Sequence, residues 1–298
     1  MAMFYRTLEE RTPDTQYQDR LWHILDDGRL EKETPQDVGA LTCFGELAPM
    51  VFPVQNGAPV ITERKIPWKA GVGEILAFIN GARDLDTLKE FGVTWWGKWA
   101  SERKCTKIGV PVGDLGPGSY GAAFHDFPMP DGQGFNQLAH AVEQLQNPEN
   151  YKRRTIFVHP WIPFYNGWGS ELQKAVVSPC HGWMHFRVLN GKLYLHMFQR
   201  SADMPIGVPF NMVQYFALLL AVAQVTGLEP AQYSHSFSDA HIYADQVEEV
   251  RTVLSRVPRP FPILKVDPGV KNLFDFRPHH FELEEYDPHP GLEIPVAI

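Results

Sequence analysis

The segment Ser178-Pro179-Cys180-His181-Gly182-Trp183 holds the residue types best suited to covalent chemistry. A cysteine becomes a nucleophile as its thiolate, and a nearby cation or histidine favours that form. After Cys180, Trp183, His185 and Arg187 alternate with Met184, Phe186 and Val188, the period of a strand. Asn190-Gly191 is a strong hairpin signal, and Leu193 to Phe198 reads as the return strand. The hairpin therefore brings Gln199-Arg200-Ser201 close to Cys180 and pairs a thiol with an arginine. A lone cysteine more often packs as a small hydrophobe. The spacing leaves both readings open.

Composition narrows the class. With 298 residues, 44% of them hydrophobic, the chain can bury a large core as a single α/β domain over 1–298. A net charge of −8 argues against gripping a nucleic-acid backbone and leaves room for one basic phosphate pocket. Cys43, Cys105 and Cys180 are odd in number and lack metal-ligand spacing. Neither a disulfide framework nor a metal site is expected, and a reducing cytoplasm fits best. No run reaches membrane-spanning length, and the early Arg6, Glu9, Glu10 and Arg11 leave no signal-peptide core.

The elements that must position this chemistry follow from periodicity. Tyr17 to Leu30 has helical spacing at Leu21, Ile24 and Leu25 with Gly28 near its end, and Leu41 to Gly45 reads as the first strand. Pro67 to Gly81 is helical through Val72, Ile75, Leu76 and Ile79; Glu74 lies among them, although a helix glutamate is ordinarily solvated. The charge run Glu63-Arg64-Lys65 and the basic triplet Lys152-Arg153-Arg154 read as wet surface. Trp95, Trp96 and Trp99 form an aromatic cluster suited to core packing. Gly116 to Gly121 is turn chemistry, and Phe135 to Leu145 is helical through Leu138, Val142 and Leu145. Asn211 to Gln224 is apolar all round, which predicts a buried helix and makes Asn211 an amide in need of partners. His241 and Tyr243 point to one face of a strand.

These motifs together resemble the thymidylate synthase family. The likeness runs through Pro179-Cys180-His181, Gln199 to Asp203, Gly207 to Asn211, Ser238 to Tyr243, Tyr286 to Pro290 and the terminal Pro295-Val296-Ala297-Ile298. It implies a large curved mixed sheet covered by helices, with homodimers made by packing two sheets together. By this resemblance Cys180 is the nucleophile, Arg200 its partner, Glu74 and Tyr120 the proton-handling groups and Asn211 the reader of uracil. Arg153 and Arg154 reach across the dimer to the partner's nucleotide phosphate, beside Gln199 and Ser201. His241 and Tyr243 hold the sugar 3′-hydroxyl, and Asp203 holds the pterin ring. Trp96, Trp99, Gly207 and Ile298 complete the folate site. Glu63-Arg64-Lys65 supplies a cation for the folate tail.

The implied reaction joins dUMP and 5,10-methylenetetrahydrofolate without a metal, nucleic acid or membrane. Hydride transfer to the C5 methylene gives dTMP; attack by water gives 5-hydroxymethyl-dUMP. Retained Trp96 and the Val296-Ala297-Ile298 tail favour hydride, since they exclude water. Three departures cluster at the same region: Thr34 to Gly39 lacks the family's phosphate arginine, Ile66-Pro67 replaces a usual histidine, and Gly97-Lys98 replaces an acidic pair.

Overall fold

The computed structural model describes residues 5–166 and 173–297. A seven-stranded sheet organises it. Its strands are β1 (Arg29–Glu31), β2 (Ala40–Phe44) and β3 (Met50–Pro53), then β6 (Phe157–Val158), β7 (His181–Leu189), β8 (Lys192–Asp203) and β9 (Glu229–Tyr243). Two small pairs stand apart: β4 (Phe127–Pro128) with β5 (Gly134–Phe135), and β10 (Ile263–Val266) with β11 (Phe281–Glu284). Across the large sheet the order is β1-β2-β9-β8-β7-β6, with β3 also on β9. The β8–β9 pair is parallel and the other pairs are antiparallel. This is the mixed sheet that the resemblance implies.

The hairpin forms as the sequence predicts. Leu189 pairs with Lys192, and Asn190 (φ 51°) and Gly191 (φ 75°) make the left-handed two-residue turn. Met184, Phe186 and Val188 are buried while Trp183, His185 and Arg187 stay half-exposed, as the alternation requires. The return strand runs past Phe198 to Asp203, so Gln199 to Asp203 are held in the ladder. β8 and β9 run parallel and need a crossover, and the helix Gly207–Thr226 supplies it. That helix packs on the sheet and on the helix Trp68–Ile79, which carries Glu74.

Two expectations are corrected. Leu41 to Gly45 is not the first strand, because β1 precedes it; its three residues are all exposed and leave no alternating pattern. One run does reach membrane-spanning length: Gly207–Thr226 qualifies by length and by a mean hydropathy of 1.5, yet 83% of that window is buried inside the protein. The helix is apolar all round because sheet and helices enclose it.

Candidate active site

Cys180 stands immediately before β7, and the next residues form a bulge. His181 pairs with Gln199 and Trp183 with Phe198, leaving Gly182 unpaired at φ 104°. The ladder ties the thiol residue to the opposite strand: Arg200 N donates to the Cys180 carbonyl at 2.8 Å. Arg200 Nε donates to Pro179 O (2.7 Å) and Nη2 to Ser178 O (2.9 Å), which brings Nη2 within 3.5 Å of Cys180 Sγ. The guanidinium also lies over Trp161, 5.4 Å from the ring centre. On the other side, the Cys180 N–H donates to the Tyr120 hydroxyl at 2.6 Å.

The electrostatics differ from the simple expectation of a stabilised thiolate. Burial pushes the Cys180 thiol up from its ordinary value, with Arg200 and hydrogen bonds to Tyr120 and Ser201 opposing it. His181 adds no cation, because burial, assisted by Arg200, pushes its pKa down to about 3. Its Nδ1 lies 2.6 Å from the Tyr215 hydroxyl, and its ring stacks on Tyr120 with centroids 4.5 Å apart. The neutral imidazole is a wall of the site rather than a partner in charge.

A second set of contacts surrounds Glu74, which is only 6% exposed and not solvated. Its Oε1 accepts from Trp95 Nε1 (2.7 Å) and Trp96 Nε1 (2.6 Å), and its Oε2 from Gln214 Nε2 (2.5 Å). Burial raises the carboxyl pKa against these donors. Gln214 Oε1 in turn accepts from Asn211 Nδ2 at 2.9 Å. Asn211 therefore has the partner that a buried amide requires. Trp96 also packs against Phe78, Trp99 and Tyr120, which makes the aromatic cluster continuous with the floor below the thiol.

The third set lies at the ends of β8 and β9. His241 and Tyr243 share a face with ring centres 5.0 Å apart, and His241 Nδ1 bonds Asp239 at 2.7 Å. Burial lifts Asp203 to about 6, opposed by His241, Gln246, the Ile206 N–H and Arg64. Gln246 Nε2 reaches the Asp203 carboxylate (3.3 Å) and Pro295 O (2.9 Å), so one buried amide joins the end of β8 to the C-terminal segment. Lys65 N donates to His289 O, and His289 N donates to Thr62 O, extending that docking. Gly207 opens the crossover helix, and a Cβ there would lie 3.7 Å from Asn211 Oδ1.

Other expected residues lie elsewhere or play different parts. Gln199 is 2% exposed, with its amide bound to His235 Nε2 and Ser201 O, so it braces Ser201 from behind. Arg153 bonds Asn150 at 2.6 Å, and its carbonyl accepts from Arg187; Arg154 is exposed. Both precede the edge strand β6 and make no described contact with Cys180 or Arg200. Glu63 and Arg64 are buried, contrary to the wet-surface reading, and Arg64 donates to Pro205 O at 2.6 Å. Ile298 falls outside the described residues. Thr34 to Gly39 closes as a tight turn, with Asp37 at φ 57° and Thr34 Oγ1 bonded to Val38 O, and brings no cation. On β2, whose Cys43 pairs with Ala240 beside His241, a second group forms: His23, Cys43 and Glu46 come within 4.8 Å of one another, a juxtaposition that spacing could not reveal; Arg29 already engages Glu46.

Sequence reasoning placed Trp95 in the aromatic cluster without a site role, and gave none to Gln214 or Gln246. A signal existed for Gln214 alone, a second amide one helical turn after Asn211 in an otherwise apolar run.

A family model described as thymidylate synthase matches residues 15–298. The chain belongs to the thymidylate synthase family. Thymidylate synthase family members methylate dUMP or carry out related chemistry, binding dUMP and folate with methylenetetrahydrofolate as co-substrate. The mixed sheet covered by helices fits the fold of the thymidylate synthase family.

Proposed function

We propose that this chain is a thymidylate synthase that converts dUMP to dTMP, with Cys180 sulfur adding to C6 of the pyrimidine. The observation that carries this reading is that an arginine-flanked thiol is joined, through Tyr120 and Trp96, to the Glu74 carboxylate, to which Gln214 ties the Asn211 amide. Addition forms the S–C6 bond and moves electron density toward C5 and O4. Asn211 offers an acceptor to N3–H and a donor to O4. Glu74, with its raised pKa, manages the proton at the carbonyl side. Tyr120, fixed beside Cys180, assists loss of the C5 proton. Arg200 and Ser201, with Arg153 and Arg154 of a second copy, hold the phosphate; His241 and Tyr243 hold the 3′-hydroxyl. Reversal of the S–C6 bond returns Cys180 for the next cycle.

The folate side is supported by the chemistry of its donors. Asp203 offers a carboxylate to pteridine N–H groups, Gly207 leaves space, and Trp96 and Trp99 give flat apolar walls. Bound methylenetetrahydrofolate supplies the one-carbon unit and, for methylation, a hydride. Trp96 is 9% exposed and tied to Glu74, and the docked C-terminal segment closes over Gln246. Both favour a site that keeps water off C5. The rival product, 5-hydroxymethyl-dUMP, rests on the altered residues of the folate and closure region, Ile66-Pro67 and the exposed Gly97-Lys98. Mass spectrometry of the product from dUMP and methylenetetrahydrofolate, with dihydrofolate absorbance followed, separates the two. A methyl product with stoichiometric dihydrofolate is expected; a hydroxymethyl product without it overturns the synthase reading.

A further inference from the structure

We infer that Gln214 is a positioning residue that fixes which pyrimidine Asn211 reads, and that it takes its own orientation from Glu74. The inference rests on the dUMP reading above and deepens it. An indole N–H can only donate, and the Trp95 and Trp96 indoles both donate to Glu74 Oε1. Glu74 Oε2 then receives Gln214 Nε2 at 2.5 Å. This turns the carbonyl end of the Gln214 amide toward Asn211, which answers with Nδ2 at 2.9 Å. Asn211 is left with Oδ1 as an acceptor and one Nδ2 hydrogen as a donor. Those two groups complement the N3–H and O4 of uracil.

Cytosine presents the opposite edge, an unprotonated N3 and an amino group. To read it, Asn211 must turn over, which sets its Oδ1 against Gln214 Oε1. With Glu74 ionised and accepting from both indoles, Gln214 cannot relieve the clash by turning too, because its carbonyl would then face the Glu74 carboxylate. The Tyr215 hydroxyl, next on the same helix, is already engaged by His181. Glu74, Asn211 and Gln214 are 6%, 4% and 0% exposed, so water is a poor substitute partner. Rejection of cytosine thus originates two side chains behind the one that touches the base.

Calorimetric binding of dUMP and of dCMP to the wild type, Gln214→Met and Glu74→Gln tests this, with thermal melts confirming that each is folded. Binding is the readout because it does not depend on the proton-handling role of Glu74. Gln214→Met removes the restraint, and the dUMP-over-dCMP preference should fall about tenfold or more. Glu74→Gln goes further. Its carbonyl stays under the two indoles and its amide nitrogen faces residue 214, which inverts the whole relay and moves preference toward dCMP. Folded variants that keep the wild-type ratio overturn the inference while leaving the dUMP reading intact. A wild type that binds no dUMP overturns both.

Discussion

At the scale of single residues, the site works by burial as much as by charge. Cys180 touches Arg200, yet burial holds its thiol above the ordinary value. Removing the cation with Arg200→Ala should push it higher still, and the pH dependence of alkylation by iodoacetamide, followed by mass, should shift upward; no shift would remove Arg200 from the activation of the thiol. Cys180→Ser should abolish turnover and spare dUMP binding, measured by product analysis and calorimetry. His181 gives a stability signature. Its folded pKa of about 3 lies below the unfolded value of 6.5, so its neutral form favours folding above pH 6.5. That contribution is lost as pH falls from 6.5 toward 3. The melting temperature of His181→Asn should be less sensitive to acid over that window than the wild type's.

At the scale of elements, the thiol's position depends on a backbone kink. Gly182 sits at φ 104°, and a Cβ there would lie 2.7 Å from Phe124 Cζ and 2.8 Å from the Tyr215 hydroxyl. Gly182→Ala should destabilise by about 2 kcal/mol or more, read by urea unfolding, because strained backbone and clash add together. Gly191→Ala, where a Cβ meets nothing within 4 Å, should cost only about 1 kcal/mol. The hairpin, the Glu74 helix and the buried crossover helix were legible in the sequence because each shows its period over many residues. The short β1 was not, since its exposed residues carry no period. Nor was the relay from Glu74 to Asn211, since residues 74 and 214 meet only through tertiary packing. The buried state of Arg64 was hidden for the same reason: local charge reads as surface until the chain folds over it.

At the scale of the molecule, the face of the sheet opposite the crossover helix carries half-exposed Trp183, His185 and Phe198, and Phe157 on the edge strand is 50% exposed. Exposed aromatic surface of this kind suits association with a second copy. Arg153 and Arg154 precede that same strand, which is consistent with phosphate ligands donated between subunits. Sedimentation should give the mass of two chains, and Phe157→Asp should shift the protein toward monomer with loss of turnover. A fully active monomer would remove the need for arginines from a partner.

The strand order also sets a timetable. β2 pairs with β9, Ala40 opposite Tyr243, across roughly two hundred residues of intervening chain. The thiol hairpin can close within microseconds of emerging, since its strands are neighbours in sequence. β2 must wait, its edge unpaired, for on the order of 10 to 40 s at ordinary rates of synthesis. The sugar-binding face therefore matures well after the thiol hairpin, and the nascent chain passes through a long interval in which a chaperone or an aggregation partner can compete for an early strand.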